Sequence, residues 1–91
     1  MTKIFKYPIR IEDNIKLMMP MHAKILCVQL QGGVPCIWAL VDEDMPLYHR
    51  IFNIYGTGHP ISNAELLEYI GTFQIDGGSF VFHLFEQKEN S

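Results

Sequence analysis

The sequence has only two cysteines, Cys27 and Cys36, too few for a disulfide framework, and no Cys/His spacing matches a zinc site. A reducing compartment is therefore expected. No stretch reaches the roughly eighteen apolar residues of a membrane span, and Met1-Thr2-Lys3-Ile4-Phe5-Lys6-Tyr7-Pro8 contains no apolar signal-peptide core. A cytoplasmic protein without a membrane anchor is expected. The seven Lys and Arg residues are scattered and the net charge is −3, so the chain lacks the basic cluster that polymeric DNA or RNA requires. A small anion needs only one or two donors and stays open. Catalytic motifs are missing too: Ser62 and Ser79 have no neighbouring His/Asp pattern, and the carboxylates form no recognisable acid/base pair. The four histidines, His22, His49, His59 and His83, lack ligand spacing, so no enzyme activity, metal or cofactor is expected.

Apolar residues, by contrast, are plentiful: 48% of the chain is hydrophobic and 12% aromatic against 19% charged. A 91-residue chain, read as one domain over 1–91, buries only about 60% of its unfolded surface. Part of the apolar excess is expected to face another chain, in a homo-oligomer. Glycines mark two hairpins, Gly32-Gly33 between Ala23–Gln31 and Val34–Asp42, and Asp76-Gly77-Gly78-Ser79 between Tyr69–Ile75 and Phe80–Glu86. Further extended runs lie near Thr2–Arg10, Asn14–Met18 and Leu47–Tyr55. One short helix is expected at Ala64–Glu68, capped by Ser62 or Asn63. The fold class is mainly β: a small antiparallel sheet of about five to six strands, curled into a sandwich or partial barrel.

Treating each glycine pair as a two-residue turn fixes a register. Gln31 then opposes Val34, Gln29 opposes Cys36 and Cys27 opposes Trp38, which leaves Leu26, Val28, Leu30, Ile37, Ala39 and Val41 on a core face. The second hairpin places Gly71, Phe73, Ile75, Phe80, Phe82 and Leu84 together. Its reverse face collects Thr72, Gln74, Val81, His83 and Phe85. Mixed faces of aromatic and amide groups suit a ligand or a subunit interface.

Three places carry binding chemistry. In Tyr55-Gly56-Thr57-Gly58-His59-Pro60 the glycines can aim N–H groups at a phosphate beside Thr57 and His59, although the same residues also make an ordinary chain reversal. Arg50, in the alternation Tyr48, Arg50, Phe52, Ile54, requires an anion, either a ligand phosphate or a carboxylate such as those of Asp42-Glu43-Asp44. Trp38 can stack a base or simply pack within a strand. Tyr48, Tyr55 and Gln74 complete the candidate ligand-binding set of Trp38, Tyr48, Arg50, Tyr55, Thr57, His59 and Gln74.

The segments Leu17-Met18-Met19-Pro20, Ala23-Lys24-Ile25-Leu26-Cys27-Val28, Trp38-Ala39-Leu40-Val41-Asp42, Gly56-Thr57-Gly58-His59-Pro60, Tyr69-Ile70-Gly71-Thr72 and His83-Leu84-Phe85-Glu86 span nearly the whole chain. In that order and spacing they resemble a widespread family of small uncharacterised phage and prophage proteins. The resemblance extends to viral sponge proteins of the anti-CBASS type, which bind cyclic nucleotide immune signals without hydrolysing them. It implies a phage counter-defence protein in the host cytoplasm, with a cyclic dinucleotide or related small nucleotide as partner. An interaction module or inhibitor of a host protein is the alternative. The resemblance carries over no pocket residues.

Overall fold

The computed structural model describes residues 1–88, which form seven strands and no α-helix. They are β1 (Thr2–Pro8), β2 (Ile15–Pro20), β3 (Lys24–Gln31), β4 (Val34–Asp42), β5 (Leu47–Gly56), β6 (Leu67–Ile75) and β7 (Phe80–Gln87). The short run near residue 15 is a full strand, so the count exceeds the five to six expected. Two antiparallel sheets result: sheet A in the order β1-β4-β3, and sheet B in the order β2-β5-β7-β6. The shortest dimension, 16 Å, accommodates two sheets about 10 Å apart with one side-chain layer between them. Among the described residues no helix is long and apolar enough to cross a membrane.

The first hairpin follows from its glycines. Gly32 and Gly33 take φ of 57° and 80°, the doubly positive geometry that a tight two-residue turn requires. Gln31 therefore opposes Val34, Gln29 opposes Cys36 and Cys27 opposes Trp38. Cys27 and Cys36 are diagonal neighbours, and both thiols are free. Ile37, Ala39 and Val41 point into the core with Val28. Leu26 does not: the register slips between Ile25 and Cys27, the extra residue is a β-bulge, and Leu26 is left 43% exposed. Leu30, one pair from the turn, is also partly exposed.

The second hairpin keeps the register Ile75 to Phe80, Phe73 to Phe82 and Thr72 to His83. Its connection is a single 3-10 turn over Asp76–Gly78, closed by Ser79 N–H donating to Asp76 O at 3.1 Å. The helix expected at Ala64–Glu68 is likewise one 3-10 turn, Ala64–Leu66, and Asn63 caps it in a left-handed conformation without a side-chain hydrogen bond. So short a segment cannot repay helix nucleation, and from Leu67 the chain gains more by pairing as β6.

Between the sheets lie Ile15, Met19 and Phe52 of sheet B, Val28, Ile37 and Val41 of sheet A, and Phe73 and Leu84 of the second hairpin. Phe52, Met19, Ile37 and Leu84 are wholly buried, and each such side chain contributes about 1.5–3 kcal/mol of transfer free energy. The sheets also meet where β3 runs beside β6. An added Cβ on Gly71 would lie 2.8 Å from Val28 Cγ1, so only glycine fits this crossing without displacement.

Candidate functional site

Alternation along sheet B turns Tyr55 of β5, His83 and Phe85 of β7, and Tyr69, Thr72 and Gln74 of β6 away from the core. Pairing ranks them in rows. Tyr55 opposes His83, which opposes Thr72; in the next row Asn53 opposes Phe85, which opposes Tyr69. Tyr69 and Thr72 share this face despite odd spacing, because a bulge falls between Tyr69 and Gly71.

Strands β5 and β6 are parallel and flank β7, so the chain between them must cross the sheet rather than turn back. That crossover, residues 57–66, lies on the outer face. It encloses a cleft of about 240 Å³ lined by Asn53, Tyr55, Ser62, Asn63, Leu66, Leu67, Gln87 and Lys88. Asn53 is only 7% exposed, and its amide is fully engaged: Nδ2 donates to Asp13 O at 2.9 Å and Asn14 Oδ1 at 2.7 Å, while Oδ1 accepts from Gln87 Nε2 at 3.1 Å. This network holds the floor of the cleft.

At the mouth of the crossover the side chains form one hydrogen-bonded chain. Thr57 Oγ1 lies 2.7 Å from His83 Nε2, His83 Nδ1 lies 2.8 Å from Thr72 Oγ1, and Thr72 Oγ1 lies 2.6 Å from the Tyr69 hydroxyl. Phe85 stands edge-on between Tyr55 and Tyr69, with ring centroids 5.8 and 5.5 Å away. His59 folds back so that its ring lies against Gly56, and its N–H closes the turn onto Gly56 O at 3.1 Å. The surface therefore offers ring faces, a row of hydroxyls around one imidazole, and an adjacent cleft.

The structure divides the seven candidate residues among four places. Tyr55, Thr57 and Gln74 belong to the outer side of sheet B, whereas the His59 ring lies against Gly56 on the inner side. Tyr48 and Arg50 line a groove of about 430 Å³ on the opposite side, with Met21, Ala23, Glu68 and Glu86. Trp38 is on sheet A, paired with Lys6 and Cys27. Tyr69, Thr72, His83 and Phe85, which the candidate set omits, are the centre of the sheet B surface. The odd spacing of Tyr69 and Thr72 hid their common face, since a bulge leaves no distinctive residue in the sequence.

Arg50 has a structural anion. Its guanidinium makes a two-pronged pair with Glu86, through Nε to Oε2 and through Nη2 to Oε1, and Nη1 donates to Ala23 O at 2.7 Å. The Asp42–Asp44 run is not the partner, because it is used locally. Asp42 Oδ1 accepts the Asp44 N–H at 3.0 Å, which holds the Asp42 carboxyl below its ordinary value, and Glu43 pairs with Lys3 at 2.8 Å. Burial pushes the nearby Tyr7 phenol up, and the Arg50 charge opposes that shift.

Among the described residues no three His, Cys, Asp or Glu side chains converge on a possible metal position. No curated protein and no solved structure is similar to the chain. One family model matches, over residues 1–91, and it describes a domain of unknown function. The chain belongs to the DUF7352 family.

Proposed function

We propose that the protein holds a small nucleotide, without transforming it, on the outer face of sheet B. The carrying observation is the Tyr55–Phe85–Tyr69 aromatic row beside the hydroxyl and imidazole chain and the cleft beneath the crossover. Ring faces accept a base, while Thr57 and Lys88 supply donors for phosphate oxygens. The resemblance to small phage and prophage proteins, read as overlapping viral sponge proteins, favours a role in counter-defence in the host cytoplasm, with a cyclic nucleotide signal as the sequestered ligand. Arg50 falls outside this site, its charge being matched by Glu86.

The test is to mix the protein with a panel of cyclic and linear nucleotides, remove free ligand, denature by heat and assay what is released. Intact nucleotide is expected, and Thr57→Ala or Tyr55→Ala should weaken retention roughly ten- to a hundredfold, as loss of a charge-assisted hydrogen bond or a stacking contact does. Altered nucleotide would indicate an enzyme. No retention at micromolar concentrations would defeat the nucleotide reading.

A second surface supports assembly. Ile4, Val34 and Leu40 are 60%, 45% and 37% exposed on the outer side of sheet A around Trp38, an apolar patch that favours a protein contact. A further copy of the chain is the proposed cover. Light scattering should give a multiple of the 10.5 kDa chain mass. A monomer mass at every concentration would leave this patch for a host protein instead.

A further inference from the structure

We infer that the Thr57–His83–Thr72–Tyr69 chain reads the hydroxyls of a sugar ring, which, on the nucleotide reading above, is the ribose of the bound ligand. The argument starts from the imidazole. A neutral histidine has one N–H donor and one bare nitrogen acceptor, and both His83 nitrogens are engaged. Its tautomer therefore sets the direction of the whole chain.

If His83 carries its proton on Nε2, it donates to Thr57 Oγ1 and accepts from Thr72, and Thr72 accepts from Tyr69. The Thr57 hydroxyl hydrogen is then free to donate outward, while the Tyr69 oxygen is free to accept. In the other tautomer every bond reverses: Thr57 donates to Nε2, Nδ1 donates to Thr72, and Thr72 donates to Tyr69, whose own hydrogen turns outward. Each arrangement presents one donating end and one accepting end. A phosphate only accepts, so it satisfies one end and opposes the other. A base edge has its donors and acceptors fixed, so it matches one tautomer alone. Hydroxyl groups both donate and accept, so a sugar hydroxyl satisfies whichever end it meets in either tautomer.

The surroundings agree with this chemistry. Tyr69 is 56% exposed at one end of the chain and stands beside Phe85, an apolar ring surface against which the C–H face of a sugar can lie. Thr57 is exposed at the other end, and Tyr55, two residues before it, lines the cleft under the crossover. Ring faces flanked by hydroxyls complement a sugar better than they complement an isolated phosphate.

Titration calorimetry with adenosine monophosphate, deoxyadenosine monophosphate, ribose phosphate and glucose tests the idea and separates its possible ligands. The ribonucleotide should bind at least about tenfold more tightly than its deoxy analogue, the effect of one hydrogen bond. Thr72→Val interrupts the chain at its middle and should remove that preference while leaving the melting temperature within a few degrees of the parent. Should that variant fail to fold, Thr57→Val at the exposed end provides the same readout. Equal binding of the ribo and deoxy compounds by the parent overturns the inference and leaves the nucleotide reading standing. Binding of glucose or ribose phosphate without either nucleotide supports a sugar site and defeats the nucleotide reading. No binding of any of the four overturns the inference.

Discussion

Arg50→Ala is expected to destabilise the fold by about 3–5 kcal/mol, the cost of leaving a buried charge without its partner. The Arg50 and Glu86 side chains are only 17% and 10% exposed, so water from the groove can replace the interaction only in part. Loss of the guanidinium also frees the carbonyl of Ala23, which accepts from Nη1 and ties the start of β3 to sheet B. Arg50→Lys should recover only part of the stability, because an ammonium cannot make the two-pronged pair. Arg50→Met combined with Glu86→Leu should recover most of it, since an apolar pair of similar volume strands no charge. Denaturant titrations of these variants are the measurement. A second readout is the Tyr7 phenol, which burial raises and Arg50 pulls back. In Arg50→Ala its spectrophotometric titration should move to still higher pH. An alanine variant as stable as the parent, with an unmoved Tyr7, would show the guanidinium to be free for a ligand.

The Arg50 result bears on what the sequence reveals about the site. Arg50 and Tyr55 are five positions apart on one strand, an odd number, so alternation alone puts them on opposite faces. A site drawing on both was excluded by their spacing. The partner of Arg50 was harder to see, because Glu86 is paired with Phe52 across the β5–β7 ladder and nothing local marks that ladder. Acidic residues close in sequence were the visible choice, yet Asp42 stabilises the turn leaving β4.

Local chemistry accounts for what was readable. The Gly32-Gly33 turn dictates the β3–β4 register, and from it follow the inward positions of Val28, Ile37, Ala39 and Val41. The two bulges account for much of what was not. One displaces Leu26 from the core, and the other brings Tyr69 onto the same face as Thr72. A bulge answers to the strand it pairs with, so its position belongs to tertiary structure. The crossover of residues 57–66 depends on β7 inserting between β5 and β6, which was hidden for the same reason.

The second bulge has an energetic consequence at its neighbour Gly71. There an alanine Cβ would lie 2.8 Å from Val28 Cγ1, with the Val28 backbone N and O at 3.9 and 4.0 Å. Alanine normally gains about 0.5–1 kcal/mol over glycine within a strand by reducing the freedom of the unfolded chain. The overlap outweighs this gain. Valine is stiff about its first side-chain torsion and cannot swing its methyl clear at low cost, so the strands must separate or a neighbouring rotamer must change. Overpacking of this kind costs about 1–3 kcal/mol, and Gly71→Ala should therefore be a net destabilisation, with Gly71→Val worse. Val28→Ala removes the colliding methyl and leaves a cavity with its own cost. In the double variant Gly71→Ala/Val28→Ala the new methyl fills part of that cavity, so its stability should lie close to that of Val28→Ala alone. Such strong non-additivity is the signature of direct contact. Two effects that simply add in chemical denaturation would mean that β3 and β6 do not meet at these residues, and the seam between the sheets would have to lie elsewhere.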